Sequence, residues 1–294
     1  MRRVLLQLAV VGCGVISAVV PWTAAGAARG LEHVTFFGDS VATALAEDAN
    51  ARRTISQGID LDLAVAPCRR LEELSCPPRP PTVLDVIDQL GSSIGPVVVI
   101  AVGYNDPEDR YASEVADVLD ALQAAKVKRV FWLTLRASRH PYLTMNDAIR
   151  AEAAKRPDVS VVDWNLYSRS HPEWFQDDLV HLTSAGALAM ATLVNKQLLA
   201  AGVAVAAPRV STASLPAGAV GHRYALRLRA SGGSLPYRWS LSGRLPMGLH
   251  MHSTGVLDGT PRRADRGGVY TLVVRVIDGY GQTATRKLLL RLRR

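Results

Sequence analysis

The chain of 294 residues contains only three cysteines, and one of them, Cys13, lies in an apolar N-terminal run. No histidine is found within ten residues of the other two, Cys68 and Cys76. Because two thiolates do not complete a tetrahedral site, no zinc centre is expected there. The sequence also lacks internal repeats and low-complexity segments, and its apolar share of 48% argues against disorder. We therefore expect one large domain or two smaller ones, each with a packed core.

Acidic residues are scarce in the last third of the chain. From Arg209 to Arg294 there are 15 basic residues and three Asp, whereas the preceding part holds 19 basic and 23 acidic residues. The net charge of +8 therefore belongs to the C-terminal part. A basic surface outside the cytoplasm favours an anionic envelope polymer or lipid headgroups as partners, the alternative being an arginine-rich sheet surface that is merely soluble. No nucleic-acid partner is expected.

The N-terminus has the pattern of an export signal. Met1-Arg2-Arg3 is followed by an apolar run over residues 4–20 and by small residues around Ala25-Gly26-Ala27, where cleavage is expected. We predict a signal peptide over residues 1–28. An uncleaved membrane anchor and a lipid-modified Cys13 are the alternatives. In each case the protein is expected to be secreted or associated with the cell envelope.

Export also bears on the two remaining cysteines. Cys68 and Cys76 are eight residues apart in a proline-rich loop. In an oxidising compartment two such cysteines most simply form one disulfide. Two free thiols are the alternative.

Apolar strand-like runs alternate with helix-like runs through the first two thirds of the chain. This alternation predicts an α/β domain over residues 29–202, with a parallel sheet covered by helices on both faces. The predicted strands are 33–37, 61–66, 97–102, 129–135 and 159–164, and the predicted helices are 41–50, 82–91, 114–126, 142–155 and 183–201.

The pattern changes after Gly202. A run of small residues closing on Pro208 carries no helical face, and we predict a linker over residues 203–210. Beyond it, residues 224–229 and 270–276 alternate with a period of two and are separated by Gly and Pro turns. This alternation predicts an all-β domain over residues 211–294.

Residues that can carry out nucleophilic catalysis follow three of the predicted strands. Ser40 follows the first strand, Asn105 the third, and Asp178 and His181 the fifth. Because ligands of a parallel sheet bind outside the carboxyl ends of its strands, we expect these residues to meet at one edge.

Each of these residues has a role in ester cleavage. Ser40 would attack the carbonyl carbon, His181 would accept its proton and pass it to the leaving alcohol, and Asp178 would orient the imidazole. The Asn105 amide and the backbone N–H of Ser40 would form an oxyanion hole.

Three segments carry a family resemblance. Gly38-Asp39-Ser40, Gly103-x-Asn105-Asp106 and Asp178-x-x-His181, in this order, resemble the SGNH (GDSL) hydrolases. The resemblance implies a flavodoxin-like three-layer α/β/α sandwich and a Ser-His-Asp triad. It also implies esterase, lipase, carbohydrate deacetylase or acyltransferase chemistry without metal or cofactor.

One block departs from the family pattern. The family usually has a glycine after the second strand, where this chain has Pro67-Cys68-Arg69-Arg70. The third oxyanion donor is therefore open, with a backbone N–H near Cys68 or Arg69 as a substitute.

Other side chains at the same edge are candidates for binding substrate. Arg69, Tyr104 and Arg136 fall at strand ends, where arginine could bind a carboxylate or phosphate through two hydrogen bonds or form a structural salt bridge. Trp174, with the adjacent Phe175, lies in the loop before Asp178 and is expected to line a pocket. Trp132 and Trp164 are expected in the core.

The C-terminal part carries a second resemblance. Gly232-Gly233-Ser234-Leu235-Pro236-Tyr237-Arg238-Trp239-Ser240, Leu245-Pro246-x-Gly248-Leu249 and Gly259-Thr260-Pro261 resemble the immunoglobulin-like domains of bacterial surface proteins. The resemblance implies a sandwich with Trp239 between its sheets. Asp278 is too isolated to supply a calcium site.

The sequence therefore predicts an exported serine esterase that acts through an acyl-Ser40 intermediate at the cell envelope. Its substrate would be an ester-bearing small molecule, a lipid or an acylated glycan. An O-acyltransferase acting on envelope sugars and a non-catalytic surface adhesion or scaffold protein are the alternatives.

Overall fold

The computed structural model describes residues 30–77, 79–137, 142–262 and 268–294. The predicted signal peptide and Cys13 lie outside these ranges. Within them, no helix is both long enough and apolar enough to cross a membrane.

The first part of the chain is built on one parallel sheet. Its central strands are near-continuous apolar runs, as expected for strands buried on both faces. The strands are β1 (His33–Gly38), β2 (Asp60–Val65), β3 (Val97–Ala101), β4 (Arg129–Leu133) and β5 (Val159–Val162). They lie in the order β2-β1-β3-β4-β5 and all pair in parallel. This is the flavodoxin-like order, and the predicted α/β class is confirmed.

Helices cover both faces of this sheet. They are α1 (Thr43–Glu47), α2 (Ala49–Ile55), α3 (Val83–Leu90), α4 (Glu108–Ala124), α5 (Tyr142–Ala154), α6 (Trp164–Ser168) and α7 (Ser184–Ala200). Phe36 packs into the core shared with α1, α2 and α7, whereas Phe37 packs into the core shared with α3, α4 and α5. The alternation of side chains along β1 thus builds two cores from one strand.

The helices depart from the predicted bounds at two places. The helix predicted over 41–50 is two helices, because Asp48 has extended backbone and its carboxylate accepts the N–H groups of Asn50 and Ala51 as the N-cap of α2. The helix predicted from residue 114 begins at Glu108, since its first turns are polar and show no apolar periodicity. The short helix α6 was not predicted.

The last part of the chain is all β. Its strands are β6 (Arg209–Val210), β7 (Gly218–Ala219), β8 (Tyr224–Arg227), β9 (Ala230–Ser231), β10 (Arg238–Ser242), β11 (Leu249–Met251), β12 (Val256–Gly259), β13 (Gly268–Ile277) and β14 (Thr283–Arg293). They form the sheets β10-β13-β14-β7 and β11-β12-β8 and the pair β6-β9. Trp239 is buried in the core between them, as predicted. Asp278 accepts the N–H groups of Ser234, Tyr280 and Gln282 and so organises turns.

The segment between α7 and β6 is hydrogen-bonded to both parts. The N–H of Val205 donates to the carbonyl of Gly58, and the carbonyl of Ala206 accepts the N–H of Gly233. Gly58 has a φ of +78°, and a Cβ there would lie 2.1 Å from the Val205 carbonyl oxygen. The close approach of the two backbones at this point therefore requires glycine.

The two cysteines outside the N-terminal run are joined. Cys68 and Cys76 form a disulfide that closes the loop following β2. The predicted disulfide is therefore present.

Candidate active site

Ser40, His181 and Asp178 form a continuous hydrogen-bonded relay at the carboxyl edge of the sheet. The Oγ of Ser40 lies 3.0 Å from Nε2 of His181, and Nδ1 of His181 lies 2.5 Å from Oδ2 of Asp178. A carboxylate can only accept, so Nδ1 carries the proton and Nε2 is left to accept from the serine hydroxyl. The structure thus brings together residues that are 141 positions apart, in the orientation that activates a serine.

The loop that carries the acid and the base is held by its own backbone. The N–H of Gln176 donates to the carbonyl of His181 at 2.8 Å, and Phe175 forms a β-bridge with Leu182. Oδ1 of Asp178 accepts the N–H groups of Val180 and His181, each at 2.9 Å. The imidazole and the carboxylate are therefore fixed relative to each other before any ligand binds.

The charge of Asp178 is set by competing effects. Partial burial raises its pKa, but the hydrogen bonds from the His181 ring and from the N–H groups of Val180 and His181 outweigh burial and bring the pKa down to about 2. Asp178 is thus ionised at neutral pH and can stabilise an imidazolium.

Asp39, next to the candidate nucleophile, joins the ends of two strands. Its side chain is fully buried, with Oδ1 accepting the N–H of Val41 at 3.0 Å and Oδ2 accepting those of Gly103 at 3.2 Å and Tyr104 at 3.1 Å. Burial raises its pKa to about 6, although these N–H groups lower it part of the way back. Asp39 therefore ties the Ser40 turn to the loop that presents Asn105, a role that the sequence analysis did not assign to it.

The candidate oxyanion donors lie on these two loops. The backbone N–H of Ser40 has no partner among the residues that the structure describes. Nδ2 of Asn105 makes one long hydrogen bond, of 3.4 Å, to the carbonyl of Arg69 and retains a second N–H. The next residue, Asp106, accepts the N–H of Leu71 at 2.8 Å and so fastens the Asn105 loop to the segment after β2.

The backbone of Cys68 explains how the chain does without the usual glycine. Cys68 has a φ of +62°, in the left-handed region that glycine normally occupies. The N–H of Ala66 donates to the carbonyl of Gly38, which places this segment beside the Ser40 turn. Arg69 N–H donates to Ala66 at 3.4 Å, whereas Cys68 N–H has no partner in the described ranges.

The two candidate arginines face inwards. Arg69 is 6% exposed and donates to the carbonyls of Pro81, at 3.1 Å, and Ala64. Arg136 is also 6% exposed, lies 3.8 Å above the ring of Phe175 and donates to the carbonyl of Ser168. Instead of presenting a fork to solvent, as the sequence analysis had expected, both guanidinium groups hold backbone segments together.

The candidate aromatic residues divide between edge and core. Tyr104 is half-buried, and its hydroxyl accepts the N–H of Arg136 at 2.7 Å. Trp174 is partly exposed and stacks on the His171 ring at 3.8 Å. Trp164 is buried, as is Trp132, and both belong to the core. Phe175 is 6% exposed beneath Arg136 and so does not line an open pocket.

The relay lies on an open rim. The side chains of His181 and Asp178 are 42% and 47% exposed, although they make the hydrogen bonds described above. A bulky substrate can therefore reach Ser40 without entering a closed tunnel.

One family model matches the C-terminal part. Residues 207–292 match the model described as "Putative Ig domain". The immunoglobulin-like resemblance of this part is thereby confirmed.

Two groups of relatives resemble the chain in sequence. It is 31% identical over 104 residues to the O-acetyltransferase OatA of Staphylococcus aureus, covering 35% of this chain and 16% of that protein. It is 35% identical over 100 residues to the peptidoglycan O-acetyltransferase OatA of Listeria monocytogenes, covering 33% and 15%. The match thus spans about a sixth of the length of these relatives.

Solved structures with similar folds include two esterases. A carbohydrate esterase family 3 protein from Talaromyces cellulolyticus has a TM-score of 0.45 and 16% identity, over 58% of this chain and 98% of that one. The family 3 carbohydrate esterase of Clostridium thermocellum has a TM-score of 0.44 and 15% identity, over 58% and 97%.

We predict that Asp39→Asn removes a pH dependence of stability. The native pKa of Asp39, about 6, lies above the ordinary value of 3.8, so the native state binds this proton more tightly than the unfolded chain does. The resulting stabilisation is complete below about pH 4 and is lost as the pH rises through 6. The difference in pKa corresponds to about 3 kcal/mol. Between pH 4 and pH 7 the unfolding free energy of the wild type should fall by this amount relative to the variant, as measured by urea denaturation.

Asp88→Asn is the matched control, because it removes an exposed carboxylate from α3 and changes the net charge equally. If the wild type and Asp39→Asn lose stability in parallel over this range, Asp39 does not hold the proton. If Asp88→Asn removes the same dependence, the effect belongs to net charge.

Proposed function

We propose that the chain is a serine hydrolase of the SGNH type that transfers acyl groups from esters through an acyl-Ser40 intermediate. The observation that carries this proposal is the Ser40–His181–Asp178 relay, with distances of 3.0 and 2.5 Å. The unpartnered N–H of Ser40 and the Asn105 amide, which Asp39 couples through the backbone, support it.

In the first half of the reaction His181 Nε2 takes the hydroxyl proton as Ser40 Oγ bonds to the carbonyl carbon. The negative charge moves to the carbonyl oxygen, where the N–H of Ser40 and the Asn105 amide stabilise it, with the N–H of Cys68 as a third donor. When the intermediate collapses, the ester C–O bond breaks and His181 returns the proton to the leaving alcohol.

In the second half a water molecule attacks the acyl carbon of the Ser40 ester. His181 takes the proton of the water and delivers it to Ser40 Oγ as the acyl–serine bond breaks. Asp178 remains ionised throughout and stabilises the imidazolium in both halves. The products are the free acid and the original serine.

An acylated glycan is the substrate class that the site favours. The relay lies on an open rim, which accepts a short acyl group projecting from a large polymer. The similarity to O-acetyltransferases, one of which is described as acting on peptidoglycan, points to acetyl esters of cell-wall sugars.

Transfer to a sugar is the second candidate function. It shares the acyl-Ser40 step and differs only in that a sugar hydroxyl replaces water as the acceptor. The sequence similarity to O-acetyltransferases favours it. Incubation with an acetyl donor and a glycan oligomer distinguishes the two: acetylated oligomer indicates transfer, whereas free acetate with unmodified oligomer indicates hydrolysis.

We place this activity outside the cytoplasm, at the cell envelope. The signal-like N-terminus, the Cys68–Cys76 disulfide and the immunoglobulin-like match support this location. Recovery of the protein only from the cytoplasmic fraction would contradict it.

We predict that Ser40→Ala abolishes turnover of a short-chain nitrophenyl ester, because no other group can form the acyl intermediate. The variant should also lose labelling by a fluorophosphonate probe, while its thermal unfolding stays that of a folded protein. Ser93→Ala, which removes an exposed hydroxyl remote from the relay, is the control and should retain both activities. Retained turnover in Ser40→Ala would reject the assignment. Failure of the wild type to be labelled would instead favour a non-catalytic surface protein.

We predict that Asp178→Asn lowers kcat for the same ester by a factor of roughly 100 to 10,000, because the amide can no longer fix the imidazole tautomer or stabilise its charged form. Asp177→Asn changes the neighbouring exposed carboxylate of the same loop and should leave kcat unchanged. Equal losses in the two variants would show that the effect comes from loop charge and not from the relay.

A further inference from the structure

A surface groove in the all-β part has the features of a ligand site. It has a volume of about 500 Å³ and lies beside β8 and the start of β10. Leu235, Tyr237 and Trp239 form its apolar side, and Arg227 and Arg229 line it as well. Small-ligand sites typically measure about 300 to 1,000 Å³ and combine an apolar wall with a few polar groups.

The apolar side is exposed although the loop that bears it is fixed. Leu235 is 69% exposed, more than any other large apolar residue that the structure describes. The adjacent Ser234 donates its N–H to Asp278 at 3.0 Å, and its carbonyl accepts the N–H of Gly279 at 2.7 Å. The hydroxyl of Tyr237 donates to the carbonyl of Gly232. The apolar surface is therefore held ready for a ligand, which reduces the entropy lost on binding.

The arginines of the groove lack acidic partners. Both Arg227 and Arg229 are exposed, and neither forms a salt bridge with a residue in the described ranges. The backbone of Arg229 is fixed, since its N–H donates to Thr212 Oγ1 at 2.8 Å. The α/β part behaves differently, because arginines such as Arg150 and Arg156 pair with carboxylates there.

The composition of this part makes the imbalance general. Between Arg209 and Arg294 there are 15 basic residues and three Asp. Of these, Asp278 is engaged with backbone N–H groups and Asp258 with His252. The resulting positive field attracts polyanions over distances longer than a contact.

We propose that this groove binds an anionic glycan, a polymer whose sugars carry carboxylate or phosphate groups. The aromatic and aliphatic side chains would pack against a sugar ring, the exposed hydroxyls of Ser211 and Thr254 would bond to its hydroxyl groups, and the two arginines would bind its anionic group. The site is separate from the Ser40 relay, and glycan binding there does not require the esterase assignment to hold.

The test measures binding of the full chain to polygalacturonate by calorimetry at physiological ionic strength. Dextran, a neutral glycan, and polyglutamate, a polyanion without sugar, are the comparison ligands. We expect polygalacturonate to bind at least about tenfold more tightly than either. Inorganic polyphosphate added as a competitor then tells whether the groove prefers phosphate to the carboxylated sugar.

Paired variants separate the groove from diffuse charge. Arg227→Gln with Arg229→Gln should weaken binding of polygalacturonate at least about tenfold. Arg291→Gln with Arg293→Gln, which removes the same charge from exposed positions of β14 outside the groove, should weaken it about twofold or less. Leu235→Ser changes no charge and should weaken binding several-fold through loss of apolar contact.

Equal weakening by the two arginine pairs would overturn the proposal, as would equal binding of polyglutamate or no binding of polygalacturonate. All variants should retain the thermal unfolding of the wild type and its turnover of a small ester, since none touches the relay. The Ser40→Ala variant should bind polygalacturonate normally. A failure of the esterase assignment and a failure of glycan binding therefore give different results.

Discussion

The candidate site depends on one buried carboxylate. Asp39 accepts backbone N–H groups from its own turn and from the loop after β3, so that Ser40 and the Asn105 loop share a single anchor. A charge buried without such bonds is strongly unfavourable, and the N–H groups would be equally unfavourable without an acceptor. The two loops are therefore stable together in one arrangement and not separately. Because β1 and β3 are neighbouring parallel strands, this local bond sets the distance between the candidate nucleophile and the candidate oxyanion donor.

The topology and the relay could be predicted because both depend on patterns that are visible in the chain. The apolar run at Val97–Ala101 identifies a strand buried on both faces, and strand and helix runs in alternation require a parallel sheet. The carboxyl ends of its strands must then share one edge, which brings Ser40 near His181 across 141 positions. Asp178, three residues from the histidine, needs only a tight turn to reach its ring.

Other features depend on contacts that no pattern announces. Asp48 reads as part of a helix until its carboxylate is seen to cap the next one. Cys68 takes a positive φ that its residue type does not favour. Arg69 and Arg136 lie at strand ends, as substrate ligands would, yet nearby backbone carbonyls draw both guanidinium groups inwards. Whether a charged side chain at a strand end turns to solvent or to the backbone depends on which carbonyls lack partners, and that is settled only by the packing of distant segments.

The open rim bears on the choice between hydrolysis and transfer. On the proposed mechanism, an acyl group on Ser40 faces solvent, because the histidine and aspartate of the relay are nearly half exposed. Water at its bulk concentration then takes the acyl group unless a sugar hydroxyl is held against the rim. A glycan retained by the basic all-β part would raise the local concentration of such hydroxyl groups without any change in the relay. The same site can therefore hydrolyse esters of free substrates and transfer acyl groups along a bound polymer, with the outcome set by occupancy of the rim and not by different catalytic residues.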